Sequence, residues 1–430
     1  EHRAVQQEIA LGIGIEQVVT AGQYLVQAGH GAGADFQDVA AELRNALLQC
    51  LLQGCHGIVG RALALLLARH RLHVGLVESP AFPGQQADIR AYAINHKSQA
   101  LLASLKCWPG PDKATPIKEI RVWGDVQSQT VFSASQLQQE AMTWIADVPT
   151  LEHMLQQACQ YQGGIEVITA EQAEADPAPL TVICEGKHST TRTELGVEYD
   201  VTPYRQTAIA TRATLDAPHR QIAWQWFAHT GNNSEILAFL PLGGPDGQEV
   251  GIVWSVDRGR VPELLALDDA AFAAALDNAA HLQPNEAPRV TGVQRRVAWP
   301  LQLGMAQRWV GSQPAADGKT RLSWALAGDA AHSVHPLAGQ GLNLGLADVA
   351  LLGEILGQRP LWRSTGDMHL LRQYERARKT ASAPLIAGMD GIQRLFSHNA
   401  AGVRQLRNLG MALFDRSGPV KDWVARRAMD

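Results

Sequence analysis

Residues 328–352 read GDAAHSVHPLAGQGLNLGLADVALL, and the fold follows from them. The run before them, TRLSWALA (320–327), is apolar and reads as a buried strand. Such a strand delivers Asp329 to the carboxyl edge of a sheet, where open α/β sheets bind their ligands. Gly339 and Gly341 carry no side-chain bulk, so the backbone there can approach a flat ligand closely. The next stretch, LNLGLADVALLGEIL (342–356), repeats apolar residues at Leu342, Leu344, Leu346, Val349 and Leu352. That spacing predicts a long helix anchored against a core. Its free N–H groups and positive dipole end favour an anionic group.

Working outward, QGCHGIVGRALALLLARHRLHVGLVE (53–78) closes a second unit. The apolar run LLQCLLQ (47–53), a glycine turn, the helical ALALLLARHR and the run LHVGLVES predict strand, turn, helix, strand. In the dinucleotide fingerprint three glycines permit the turn, the approach of the pyrophosphate and the helix packing, and an acid further on binds ribose hydroxyls. Gly57 and Gly60 fill the second and third glycine positions, and Glu78 supplies the acid. The first position is Cys55, with Gly54 beside it. The turn is therefore either strained by a β-carbon or shifted by one residue. Alone this fingerprint is weak; beside 328–352 it forms the other end of one site.

Composition narrows the classes. At 430 residues the chain is long enough for two or three structural units, and its 46% hydrophobic and 18% charged residues are those of a globular protein. A formal net charge of -5 gives no basic field for nucleic acid. Five scattered cysteines without a C-x-x-C pair argue against a disulfide framework or a structural zinc site and fit a reducing cytoplasm. No apolar run spans a bilayer, which leaves a peripheral membrane contact open. Asp329, His332 and His335 are spaced by three, but Pro336 breaks the helical face and no fourth ligand is evident, so no metal is expected. No G-x-S-x-G elbow is present. Between 203 and 300, QTAIATRATL, QIAWQWFA, EILAFLPL and EVGIVWSV alternate as antiparallel strands do. Their Trp224, Trp226, Phe227 and Trp254 either line an aromatic pocket or fill a core.

The 328–352 segment closely resembles the GD-containing signature of class A FAD-dependent aromatic hydroxylases, and within them the ubiquinone-biosynthesis hydroxylase family, which has the p-hydroxybenzoate hydroxylase fold. Two further segments carry the resemblance. CEGKHSTTR (184–192) is similar to the family's D-G-x-x-S-x-x-R motif, with Gly186, Ser189 and Arg192 matching and Glu185 where aspartate is usual. It reads equally as a strand end followed by a capped helix. DIRAYAINHKSQALLASLKCWP (88–109) is similar to the family segment after the second strand. Arg90 is then either a contact to the flavin or its pyrophosphate, as a planar guanidinium suits, or a surface salt bridge. WPLQLGMAQRWVG (299–311) resembles the strand pair leading to the GD motif, whereas Pro149 stands where relatives often carry arginine.

The resemblance covers about 56–430 and implies an α/β fold. A Rossmann-like FAD/NAD(P)-binding domain is assembled from 47–105, 146–202 and 300–368. A β-sheet substrate domain comprises 106–145 and 203–299, and a helical region 369–430. Residues 1–46 are an unassigned extension. It implies that Asp329 holds the ribityl chain of FAD and that Gly339, Gly341, Leu342 and Asn343 embrace the flavin ring. A reduced flavin is negative near its pyrimidine carbonyl, which suits the helix start. The implied reaction takes electrons from NADPH or NADH and oxygen from O2 through a flavin hydroperoxide, and hydroxylates an aromatic small molecule, a polyprenylated phenol of ubiquinone biosynthesis. The expected protein is cytoplasmic, with a peripheral contact at the inner membrane face or a biosynthetic complex as further options. Two rivals stand beside this reading. One is a flavoprotein oxidoreductase acting on a soluble aromatic or an isoprenoid; the other is a catalytically impaired structural subunit, motivated by Cys55, Glu185 and Pro149.

Overall fold

The computed structural model describes residues 48–53, 57–77, 88–124, 129–230, 233–282, 285–315, 318, 320–334, 339–397, 410 and 414–429. The readings made for residues 1–46, Gly54, Cys55, Glu78 and His335 lie outside them. Six short strands form one sheet in the order Val310–Pro314, Arg321–Leu326, Leu180–Ile183, Cys50–Gln53, Val74–Val77, Ile165–Ile168. Only the first pair is antiparallel. Residues buried from both faces explain the apolar sequences: Leu52, Val74, Leu180, Val182 and Leu326 have no accessible surface. The sheet draws its strands from separated stretches of chain, as a domain built from discontinuous segments must.

Two helices pack together against this sheet along a row of glycines. On Gln340–Gly357, Gly345 meets Val59, Gly353 meets Leu66 and Gly357 meets His70, all on the facing helix Ile58–Arg69 or at its cap. A β-carbon at Gly345 would lie 2.8 Å from Val59 Cγ2 and 3.3 Å from the Gly328 Cα. The absent side chains let the two backbones approach closely. That contact sets Gly328, and so the residue after it, at a fixed height above the first helix.

A second, nine-stranded sheet runs His332–Ser333, Val297–Ala306, Tyr199–Leu215, Glu249–Asp257, Asn233–Leu242, Ile222–Thr230, Glu119–Trp123, Gln129–Ser133, with Val290–Val293 also paired to Tyr199–Leu215. One face is covered by the helix Asp269–Ala280, and here Trp224, Trp226, Trp254 and Phe239 pack with Phe272 and Leu276. Trp123 stacks on Trp226 at 5.4 Å. Trp224, Trp226 and Trp254 therefore fill a core; Phe227 belongs to a separate cluster with Ile236 on the other face. The helices Val261–Ala266 and Asp269–Ala280 interrupt a region read from sequence as strands alone. Asp268 caps the second by accepting from the Ala271 N–H.

Ala91–Ile94, Thr143–Asp147 and Ala114–Ile117 form a third, small antiparallel sheet. It packs on the other face of the large sheet through Ala91, Ala93, Ile117 and Ile145 against Ala223 and Leu242. The expected domain borders near 145, 202 and 299 all fall inside strands: Thr143–Asp147, Tyr199–Leu215 and Val297–Ala306. The last two are neighbours within the nine-stranded sheet and pair along most of the shorter strand.

Glycine to alanine normally stabilises an exposed helix by roughly 0.5–1 kcal/mol. Gly388→Ala, where a β-carbon meets nothing within 4 Å, is expected to do so. Gly345→Ala is expected to have the opposite sign, destabilising by about 1–3 kcal/mol through overpacking against Val59 and the Gly328 backbone. Urea unfolding of both variants checks this; equal signs would contradict the packing account.

Candidate functional site

The parallel register brings the sequence motifs to one edge. Gln53 lies beside both Val77 and Ile183, and Ile183 beside Leu326. The chain leaves these strands toward Gly57, Gly186 and Asp329, and Val77 is the residue before Glu78, which lies outside the described residues. Gly57 caps the helix Ile58–Arg69 with φ −91° and no side-chain hydrogen bond. Gly60 is buried inside that helix. Gly186 has φ +77°, a region that favours glycine. A β-carbon on Gly57 or Gly186 would meet no atom within 4 Å, so both backbones border open space.

Asp329 follows Gly328, whose φ of +62° turns the chain out of its strand into a single 3-10 turn. The Asp329 carboxyl is accessible to solvent. Burial by surrounding protein nonetheless pushes its pKa above the usual carboxylate range, against the pull of His332, Arg90 and Lys187. Accessibility combined with desolvation describes a carboxyl on the floor of a cleft rather than on a convex surface.

The far wall of the cleft is the strand Ala91–Ile94 and the residues before it. Arg90 is exposed and its guanidinium makes a forked pair with Asp88, at 2.5 Å for the closest contact. It also donates to the Tyr92 hydroxyl at 2.9 Å. Arg90 thus forms the salt bridge read as one of its two alternatives, on the wall that Asp329 faces. Asp88 is held below the usual carboxylate range: burial works upward, but the Arg90 guanidinium outweighs it. Arg212 reaches across from the large sheet to pair with Asp147, which also caps the helix Val148–Tyr161 through the Thr150 N–H.

Gly339 enters the helix Gln340–Gly357 at φ +64°, and a β-carbon there would sit 3.1 Å from the backbone nitrogen of Ala93. No side chain caps this helix start. Gly341 and Leu342 are half-buried, and Leu342 packs against the core. Asn343 is buried: its Oδ1 accepts from the Asn95 N–H at 3.0 Å and its Nδ2 donates to the Ala93 carbonyl at 2.8 Å. Its side chain fastens the helix start to the opposite wall.

In the 184–192 segment the Glu185 carboxylate accepts from Ser189 Oγ, Thr191 N and Thr191 Oγ1 at 2.6, 3.1 and 2.5 Å. Ser189 in turn caps the short helix Thr190–Glu194. The capped-helix reading therefore accounts for Glu185. Arg192 is buried, donates to the carbonyls of Ala330 and Lys187 at 2.9 Å each, and lies 3.8 Å from the centre of the Tyr199 ring. The Tyr199 hydroxyl sits 3.0 Å from Ser333 Oγ and 3.2 Å from the Asp329 carbonyl. Arg192 and Tyr199 are thus a brace behind the turn that carries Asp329. A groove of about 620 Å³ adjoins the cleft, lined by Lys187, His188, Tyr199, Val201 and Gln302 among others.

Sequence reading missed the charge cluster beneath this turn. Asp348, wholly buried, accepts from the Gly328 N–H at 2.9 Å, from His332 Nε2 at 2.8 Å and from Arg378 Nε at 2.6 Å. Arg378 also donates to the Leu344 carbonyl. His332 is thereby committed to Asp348. Burial raises the Asp348 carboxyl, yet the His332 and Arg378 contacts prevail and hold it below the usual range. The available signal was an acid on the apolar stripe of the helix, between Gly345 and Leu352.

The arrangement fits a flavin dinucleotide. Open space fronts the glycines after two strands, an uncapped helix start faces the cleft, and a carboxylate waits on its floor for hydroxyl donors.

A depressed carboxyl contributes stability that is present above its unfolded value, about 3.9 for aspartate, and lost as pH falls through the folded value. Asp348→Asn is therefore expected to be less stable than wild type near neutrality. The gap should narrow as pH drops below about 4. Urea unfolding from pH 7 to acid checks it; a gap independent of pH would contradict the charged network.

Comparison with known proteins agrees with the geometry. The family described as FAD binding domain matches residues 152–388. Ubiquinone hydroxylase UbiL of Rhodospirillum rubrum is 30% identical over 87% of this chain and 87% of its own length. The 3-demethoxyubiquinol 3-hydroxylase of Escherichia coli K12 is 28% identical over 87% of this chain and 96% of its own. Among solved structures, p-nitrophenol 4-monooxygenase from Pseudomonas putida DLL-E4 superposes with a TM-score of 0.64 at 17% identity, covering 88% of this chain and 95% of that one, and so shares the fold. The chain belongs to the FAD binding domain family and stands within it among the FAD-dependent hydroxylases of ubiquinone biosynthesis.

Proposed function

We propose that this protein hydroxylates the aromatic ring of a polyprenylated phenol, an intermediate of ubiquinone biosynthesis, using FAD, NADPH or NADH, and O2. The observation that carries the proposal is the desolvated yet accessible Asp329 carboxyl on the floor of the cleft, in a chain whose relatives bear ubiquinone-hydroxylase names. Bound FAD supplies the electron acceptor and the site of oxygen activation. The protein supplies position and shelter. Asp329 accepts hydrogen bonds from ribityl hydroxyls. The backbones of Gly57 and Gly186 leave room for the pyrophosphate, and Arg90 offers it a guanidinium. Glu78 is proposed to hold the ribose hydroxyls. The N–H groups that open the Gln340–Gly357 helix, at Gly341 and Leu342, meet the anionic side of the ring, with Gly339 admitting it closely.

The substrate wall is the large-sheet face turned toward Ala91–Ile94. One row across it reads Ala210, Val253, Ala238, Gln225 and Val122 by register. Four of its five residues are apolar and Gln225 adds a single amide, which suits a phenol ring with a hydrocarbon tail. A prenylated substrate resides in lipid, so the protein is proposed to meet it at a membrane face or within a biosynthetic assembly. Among the described residues no helix is long and apolar enough to cross a membrane.

Hydroxyl donors favour the ionised form of Asp329, so FAD binding should release a proton and weaken as pH falls through its raised pKa. Asp329→Ala is expected to lose most bound flavin, and Asp329→Asn to lose the pH dependence. Flavin absorbance of the purified proteins and FAD titration across pH measure both; wild-type flavin stoichiometry in Asp329→Ala would overturn the assignment. Product analysis tests the reaction: turnover of a prenylated phenol with uptake of one oxygen atom is expected. Turnover of unprenylated phenols alone would move the substrate to the soluble class.

A further inference from the structure

We propose that the Pro419–Met429 helix is a docking surface for an anionic lipid bilayer. The inference rests on the reading of the substrate as a prenylated, lipid-resident phenol, but its geometry is separate from the cofactor cleft. One side of this helix is already committed. Ala425 and Met429 are buried against Ala134, Leu137 and Met142, in the turn that follows the edge strand Gln129–Ser133 of the large sheet. The turn before it is pinned by Asp415, which accepts from the Val131 N–H and pairs with Lys421, and by the Phe414 ring against Phe132. The helix is thus held in one orientation about its axis.

The side turned outward is not polar as that orientation would lead one to expect. Val420, Trp423 and Val424, with Arg427, fall at the i, i+3, i+4 and i+7 positions of one face, and the three apolar residues are 56%, 66% and 36% exposed. A surface helix with apolar residues on both sides has a second partner to find. The charges around that face select the partner. Among the described residues of 414–429 the exposed charged side chains are Arg416, Arg426 and Arg427, all basic, with Arg426 also 3.5 Å from the Leu137 carbonyl, while Asp415, Lys421 and Asp422 are half-buried. This occurs on a chain whose net charge is -5. Tryptophan and valine flanked by arginine is the composition of a helix lying in the headgroup region, where aromatic rings and cations sit together. The helix also adjoins the substrate side: Ile120 packs both on its inner cluster and on the Ala91–Ala93 cluster beside the cleft.

The test uses the full chain with FAD and sedimentation with vesicles of phosphatidylcholine alone or with phosphatidylglycerol added. Wild type is expected to bind the anionic vesicles and not the neutral ones. Trp423→Ser and the pair Arg426→Glu, Arg427→Glu should each lose that binding; for the charge reversal the loss is on the order of a hundredfold. Flavin content and thermal midpoint should stay at wild-type values in both. Binding that is absent in wild type, or unchanged in both variants, overturns the proposal. So does light scattering that shows a wild-type dimer dissociated by Trp423→Ser, since the face would then belong to a second copy of the chain. Vesicle binding needs no turnover: a protein that binds through Trp423 without hydroxylating a phenol would overturn the function and leave this surface standing.

Discussion

A carboxylate with no access to solvent holds three pieces of this protein in register. Asp348 takes hydrogen bonds from the Gly328 backbone, His332 and Arg378, and these belong to the turn out of the central sheet, the short strand after it and the Met368–Ser397 helix. A buried charge is costly unless every lone pair is engaged, and removing one partner of such a cluster typically costs about 3–5 kcal/mol. The arrangement therefore tolerates little movement of the turn. Since Asp329 is the next residue after Gly328, the cleft's carboxylate inherits that rigidity. Arg192 and Tyr199 brace the same turn from its other side, through the Ala330 and Asp329 carbonyls.

The glycine row between the two central helices and the continuity of the long strands extend this constraint. Val59 seats against Gly345 and Gly328 together, so the first helix, the turn and the second helix form one contact. Tyr199–Leu215 and Val297–Ala306 then carry the same chain from the cofactor side into the antiparallel sheet. Arg212, on the first of these, reaches the Asp147 cap beside the cleft wall. Cofactor cleft and substrate wall are thus parts of one packed body, which suits chemistry that needs a ring held against a flavin with water kept out.

Much of this was legible in the sequence because the signals are local. A strand ending in Gly328-Asp329, a glycine-broken loop and an apolar helix identify the cleft edge whatever surrounds them. What was hidden depends on partners distant in sequence. Asp348 reads as one polar residue in a helix until Arg378, thirty positions on, is seen beside it. The Asn343 amide is likewise engaged by Ala93 and Asn95, some 250 positions away. The helix Asp269–Ala280 was missed because its alanine-rich sequence has little apolar contrast around its circumference, and only Phe272 and Leu276 mark the buried side. The expected borders between domains fall inside strands because the ends of those strands show no change in composition.

The central claim is that a buried charge cluster, itself out of reach of any ligand, sets the affinity of the cofactor cleft. The most direct measurement is the dissociation constant for FAD of Asp348→Asn against wild type, at neutral pH and at a temperature where both are folded. Charge-assisted hydrogen bonds are worth about 1.5–3 kcal/mol each, so loosening the Gly328 turn should weaken FAD by roughly tenfold to a hundredfold. Unchanged affinity in a folded Asp348→Asn protein would contradict the account and leave the cluster as a stabilising element alone.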